Sequence, residues 1–304
     1  MRSSLALIAT VGVLAVALTG CAGASEPQAA TGASSDAVEV QGDFGAKPRV
    51  DFPTPLTPDA TQCTEVIAGE GPLLHDGQLV LLGASLYDAA TGDELQSVGF
   101  DSDGPIPVVM GSTVAGISKG LTCAREGSRV VVVIPPSDAV QDGADPSAGV
   151  PDTGLVAVLD VARAFPTRAD GTPRLTRDGF PAVVLAPDGR PGITVPKSDA
   201  PTTTEVEVLK EGSGAVVEEG DQVVVHYTTV SWNDQGVIRS SWEDGKPTLV
   251  VASEEGVAQV LPGTADALIG STVGSQIGVI VPSDPSNGGE ADATFTVIDI
   301  LGVI

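Results

Sequence analysis

Aromatic residues are scarce in this chain of 304 residues: they make up 3% of it, with two Trp, two Tyr and six Phe. Any pocket that needs several aromatic walls therefore has few candidates to build them from. Positive charge is scarce as well. Fifteen Lys and Arg stand against forty Asp and Glu, a net charge of −25, which excludes the cationic face that nucleic acids or anionic membrane surfaces require. The acidic excess reads as a solvated surface that keeps the chain soluble. Histidine occurs only at His75 and His226; neither sits near a cysteine, so no metal site is expected. No G-x-S-x-G elbow and no phosphate loop is present, and no cofactor is expected.

Cysteine is confined to Cys21, Cys63 and Cys123. The opening stretch, MRSSLALIATVGVLAVALTGC, has one positive charge at Arg2 and an uncharged apolar run from Leu5 to Leu18. That run is too short for a spanning helix and reads as an export signal over 1–21. Leu18-Thr19-Gly20-Cys21 resembles a bacterial lipobox, in which the cysteine is lipidated and becomes the mature N-terminus. The other reading is an ordinary signal peptide cut after Ala22. Lipidation at Cys21 would anchor the chain to the outer face of the cell membrane, since each buried methylene adds about 0.8 kcal/mol. Export leaves Cys63 and Cys123 as an even pair in an oxidising compartment, which predicts a disulfide, with two buried thiols as the alternative.

Residues 22–57 are small and polar and are expected to form a flexible tether. Beyond them the chain repeats itself. TEVIAGEGPLLHDGQLVLL (64–82) is similar to TEVEVLKEGSGAVVEEGDQVVVH (204–226), GSRVVVVIPPSD (127–138) to GSQIGVIVPSD (274–284), and LVAVLDVARA (155–164) to FTVIDILGVI (295–304). Matches kept in order about 140 residues apart predict two copies of one domain, 58–165 and 204–304, joined by a Pro/Gly-rich linker, 166–203. The linker contains a strand-like AVVLA (182–186) and is expected to pack along a domain. In the second copy, β-type runs fall at Val206–Leu209, Gln222–Trp232, Thr248–Val251, Gln276–Val281 and Ala293–Leu301. A short helix is expected over 264–269, after Pro262 and Gly263 and before the stop at Gly270. Antiparallel strands around one short helix make each copy an α+β domain.

Within 204–304 the ordered series VLKEGSGAVVEEGDQVVVHYT, SSW, GKP, VLPG, VGSQIGVIVP and ATFTVIDILGV resembles the FKBP-type peptidyl-prolyl isomerases. The resemblance implies a half-wrapped antiparallel sheet around a short helix, with a hydrophobic pocket between them. Paired domains of this kind behind a lipobox also resemble a known kind of envelope lipoprotein. Tyr227 stands at the family's pocket tyrosine and is the candidate catalytic donor to substrate; alternation puts Val223 and Val225 on its face of the strand. A core tyrosine satisfied within the domain is the other reading. Val260 and Leu261 match the paired aliphatic residues before the helix, and the match implies that the Leu261 N–H binds a substrate carbonyl. Elsewhere the pattern fails. Ile238 and Arg239 stand in place of Phe-Asp, and Thr264 in place of the helix tryptophan. The late phenylalanine falls near Thr296, with Phe295 one place away and facing the opposite side unless a bulge shifts it. The loop that usually carries a second tyrosine, 283–293, has no aromatic. Trp242 is placed either to refill part of the cage or to pack on the surface, and His226 reads as structural.

In the first copy the tyrosine position is read at Gly83 and the tryptophan position at Ile117, so that copy is taken as a degenerate spacer or docking domain. The resemblance implies a foldase of the cell envelope, weakened by its lost rings, that isomerises X–Pro bonds in proline-containing segments of exported proteins. The chain is expected to act as a monomer and to bind no nucleic acid. The competing readings are a non-catalytic peptide-binding or chaperone lipoprotein and a purely structural one.

Overall fold

The computed structural model describes residues 28–140, 152–283 and 292–304. The export signal and Cys21 lie outside the described residues, as does most of the 283–293 loop. A first arm contains the one-turn helix α1 (Ala33–Asp36) and the hairpin β1 (Glu39–Gln41) and β2 (Arg49–Asp51). The first domain follows with β3 (Gln62–Ile67), β4 (Leu79–Asp88), β5 (Glu94–Val98), β6 (Ile106–Val109), α2 (Ala115–Leu121), β7 (Arg129–Ile134) and β8 (Leu155–Ala164). The connecting segment holds β9 (Thr172–Pro173) and the hairpin β10 (Ala182–Leu185) and β11 (Pro191–Thr194). The second domain comprises β12 (Glu205–Glu211), β13 (Gln222–Ser231), β14 (Val237–Ser240), β15 (Thr248–Val251), α3 (Glu254–Val257), α4 (Ala265–Leu268), β16 (Gln276–Val281) and β17 (Thr294–Val303).

The two sheets have one topology. The first runs β3-β7-β8-β4-β5 with β6 also on β4, and the second runs β12-β16-β17-β13-β14 with β15 also on β13 and the short β9 of the connecting segment added beyond β12. Every pair within the two sheets is antiparallel. Even the irregularities coincide, with a bulge between Leu81 and Leu82 on β4 and between Val224 and Val225 on β13. The α+β repeat expected from the sequence is therefore present, with one departure. In the second domain two one-turn helices, α3 and α4, cover the sheet where one was expected. β14, which no apolar run announced, forms an exposed edge.

Valine-rich strands that are buried on both faces need a cover on each. On the inner face of the first sheet, α2 packs over Val80, Leu82, Val130, Val132 and Leu159. Gly116 and Gly120 permit this approach, because a Cβ on either would come within 2.4 Å of Ile134 or Val132. Cys63 on β3 is disulfide-bonded to Cys123, just beyond α2. The outer face, with Val131, Val133, Val156 and Val158, is covered by Val38 and Leu56 of the arm. Residues 28–57 are thus not the flexible tether expected from their composition. A few apolar side chains suffice, because the arm is also held by polar bonds. Arg129, fully buried, donates to the carbonyls of Gly42, Asp43 and Ala46, and Asp160 accepts from the Gly45 N–H at 2.7 Å.

The second domain uses the same device. Phe180 and Val195 of the connecting segment pack on Val230, Trp232, Phe295 and Val297 of the outer face. Asp299, the counterpart of Asp160, accepts from the Ala169 N–H at 2.8 Å and from Gln276 Nε2 at 2.6 Å. The linker packs along this domain as its AVVLA stretch suggested. The two domains meet through Leu79, Leu81, Phe165, Val224 and Leu301. Among the described residues, no helix is long and apolar enough to cross a membrane.

Candidate functional site

β13 pairs with β17 along one side and with β15 and β14, end to end, along the other. Its alternation sends Val223, Val225 and Tyr227 inward, into a core shared with Leu261, Ala265 and Leu268 around α4. Tyr227 is 7% exposed, and its hydroxyl makes no hydrogen bond to any described residue. Burial pushes that hydroxyl above the ordinary phenol range; the charge of Arg239 pulls it back, and that of Asp244 adds to the rise. The phenol thus stands at the edge of an aliphatic core with its donor uncommitted and two opposite charges near it.

Arg239 lies opposite Thr229 on β14 and donates to the carbonyls of Gln259 and Val260. The base that replaces the family's acid therefore ties the edge strand to the residues that enter α4. Ile238, at the aromatic-wall position, is half exposed. Thr264 is buried, and its hydroxyl donates to the Leu261 carbonyl at 2.7 Å, closing a turn where an indole was expected. Thr296, in register with Thr229, shares a hydroxyl hydrogen bond with it at 3.0 Å, so the late-phenylalanine position on the inner face is polar.

Three of the expected site residues do not serve there as read. The Leu261 N–H donates to the Val257 carbonyl at 2.7 Å, so it is spent within the helical turn and does not face outward as a free donor. Phe295 faces the outer side, fully buried and edge-on to Phe180 at 5.4 Å between ring centroids. No bulge on β16 or β13 beside it shifts its register, so the alternation holds. Trp242 also lies on the outer side, stacked on His226 at 4.1 Å. A Cβ added at Gly189, in the β10–β11 hairpin, would come within 3.0 Å of its ring. Trp232 completes this arrangement, its Nε1–H donating to the Ser198 carbonyl at 3.0 Å. Both indoles therefore fasten the connecting segment, and neither floors the pocket. Val225 and Val260 lie on the inner side, buried and partly buried respectively.

The first copy needs one correction. The ladder sets Ala84 opposite Leu159 as it sets Tyr227 opposite Ile298, so the tyrosine position is Ala84, and Gly83 corresponds to His226.

His226 is structural, as read. Its Nδ1 is 2.8 Å from Ser241 Oγ, which also accepts from the Tyr227 N–H at 2.9 Å. Burial lowers its pKa from 6.5 to about 4. Between those values the unfolded state binds the proton and the folded state does not. The stability that neutral His226 contributes is thus complete above the unfolded value and is lost as pH falls toward the folded one. At about 1.4 kcal/mol per pKa unit, the second domain loses on the order of 3 kcal/mol over that interval. Urea unfolding at about pH 7.5 and pH 4.5 checks this. His226→Gln should flatten the difference, and an equal loss in variant and parent would place its source elsewhere.

Comparisons with known proteins place the second domain in a family. A family model described as FKBP-type peptidyl-prolyl cis-trans isomerase matches residues 214–296. FK506-binding protein 1 of Debaryomyces hansenii is 36% identical over 90 residues, which cover 29% of this chain and 77% of that protein. FK506-binding protein of Streptomyces anulatus is 28% identical over 94 residues, covering 31% of this chain and 73% of that one. The structure of the three FKBP domains of wheat FKBP73 aligns at 14% identity with a TM-score of 0.34, over 81% of this chain and 95% of that one. Through its C-terminal domain, the chain belongs to the FKBP-type peptidyl-prolyl isomerase family.

Proposed function

We propose that the C-terminal domain isomerises X–Pro bonds of exported polypeptides at the outer face of the cell membrane, at a rate reduced by its lost aromatic walls. The observation that carries this reading is Tyr227: an inward phenol on an aliphatic wall, its donor unclaimed by any described residue. Rotation about a peptide bond meets a barrier of about 18–20 kcal/mol, because twisting destroys amide resonance. The twisted amide carries a less polar carbonyl than the planar one. A water-poor surface therefore favours the transition state over the ground state, and preferring the transition state is what lowers a barrier. Tyr227 would orient the bound chain through a neighbouring carbonyl, and no nucleophile need be invoked. The location rests on the export signal and the lipobox-like Leu18–Cys21.

Replacing Tyr227 by Phe keeps the ring and removes the donor. One hydrogen bond of about 0.5–1.5 kcal/mol predicts a fall of about twofold to twelvefold in kcat/KM for a prolyl peptide. An unchanged kcat/KM would remove the hydroxyl from the mechanism.

A second reading has its own support. The Leu261 N–H is spent within the turn and Thr264 replaces the indole, which favours a domain that binds peptide without turning it over. Peptide binding with no acceleration of isomerisation would select it.

A further inference from the structure

The arm is fastened to the first domain from Gln28 onward. The Gln28 N–H donates to Thr122 Oγ1 at 2.7 Å, at the end of α2, and Gln28 Nε2 donates to Asp76 Oδ2 at 2.6 Å. Ala29 is buried in the same core as Ile117 and Leu121 of α2. The Ala30 carbonyl accepts from the Cys63 N–H at 3.1 Å, and Thr31 Oγ1 donates to the Cys63 carbonyl at 3.1 Å, so the arm lies along the edge of β3. Gln28 is only seven positions from Cys21. At no more than about 3.6 Å per residue, that interval spans at most about 25 Å in any conformation. A free tether over 22–57 would reach about 120 Å by the same measure. Docking of the arm shortens the reach to about a fifth.

The second domain is held close to the same point. Asp76, which accepts from Gln28, lines a cleft of about 530 Å³ together with His75 of the first domain and His226 and Trp242 of the second. The domains touch beside it, where a Cβ on Gly77 would come within 2.4 Å of the Gly245 carbonyl oxygen. Trp242 therefore stands one cleft away from the place where the chain leaves toward Cys21. His226, on the same wall, is the neighbour of Tyr227 on β13.

We propose that the end of the first domain around Gln28, Asp76 and Thr122 lies against the lipid headgroup layer, and that the second domain therefore serves proline-containing segments close to that surface. The inference rests on lipidation of Cys21, as proposed above. The short leash holds this end in place, and electrostatic attraction does not. Asp76 and Glu126 are exposed there, while Lys119 is paired with Asp138 and Arg125 donates to the Gly71 carbonyl. On a chain of net charge −25, no cationic face is left to bind lipid without the anchor.

The test is energy transfer from tryptophan to dansyl-labelled headgroups, with the full chain matured in cells and reconstituted into phosphatidylcholine vesicles. Both tryptophans lie in the second domain, and Trp242 lines the cleft beside Asp76. Transfer is expected in the parent chain. Eight EAAAK repeats inserted after Ala24 add about 60 Å, at about 1.5 Å per helical residue, and should cut transfer at least about threefold. Cys21→Ala should stay out of the vesicles and show none. The insertion should leave kcat/KM for a soluble prolyl peptide unchanged, and should slow isomerisation of one coupled to a headgroup by a short spacer severalfold. A parent chain that stays out of the vesicles, as Cys21→Ala does, would remove the anchor and this inference together. A parent chain that enters them without transfer, or with transfer that the repeats leave unchanged, would overturn this inference alone and leave the anchor standing.

Discussion

Arg129→Met is expected to destabilise the first domain by about 3–5 kcal/mol, the usual cost of breaking a buried ion pair from one side. Arg129 is 0% exposed and Asp160 1% exposed. They are joined in a fork, Nε to Oδ1 at 2.6 Å and Nη2 to Oδ2 at 2.7 Å. Removing the guanidinium strands the Asp160 carboxylate in a valine-lined interior and deprives the carbonyls of Gly42, Asp43 and Ala46 of their donor. The arm should therefore loosen in the same step. Replacing both partners, Arg129→Met with Asp160→Leu, should recover much of the loss, because no uncompensated charge then remains. Both tryptophans, Trp232 and Trp242, lie in the second domain, so their emission in urea follows that domain alone. Amide exchange on β7 and β8 follows the first. The expected result is faster exchange there with an unmoved tryptophan transition. A loss below about 1 kcal/mol would show that the fork contributes little.

Phe295→Ala is expected to cost the second domain about 3–5 kcal/mol, a large share of the roughly 5–15 kcal/mol that holds a typical domain folded. The ring is fully buried between Phe180 and the outer face of the sheet, and the tight fit at Gly278, where a Cβ would come within 2.9 Å of it, leaves no room for collapse. Its place is structural, so kcat/KM per folded molecule should not change. The tryptophan transition in urea measures the first effect, and a prolyl peptide assay well below the transition measures the second. A fall in kcat/KM for the fully folded variant would return Phe295 to the substrate pocket.

Where an element depends on its own alternation, the residues announced it. Thr248–Val251 and Gln276–Val281 are strands with the bounds read for them, and the inward direction of Tyr227 follows from a period of two. Register within a uniform apolar run is another matter. LVLLGASLY can slide by one residue without any change in hydrophobicity, and one residue reverses every side chain. Hence the run by itself sets Gly83 where Ala84 belongs. A signal was present in the turn glycines Gly77 and Gly220, both at positive φ and each six residues before its strand's counterpart of His226. Trp242 lies between strands, in a loop where alternation assigns no face. The arm looked unstructured because its composition is small and polar. What orders it is long-range: a valine surface and an Arg129–Asp160 pair more than eighty residues away, which no local window contains.

The most direct measurement is exchange NMR on a Leu-Pro peptide with catalytic amounts of the full chain. If the C-terminal domain lowers the barrier, cis and trans resonances will exchange faster in proportion to protein concentration, and Tyr227→Phe will reduce that acceleration about twofold to twelvefold, by about 0.5–1.5 kcal/mol. Resonances that shift or broaden on binding while cis–trans exchange stays at the uncatalysed rate would contradict isomerisation and leave a peptide-binding domain.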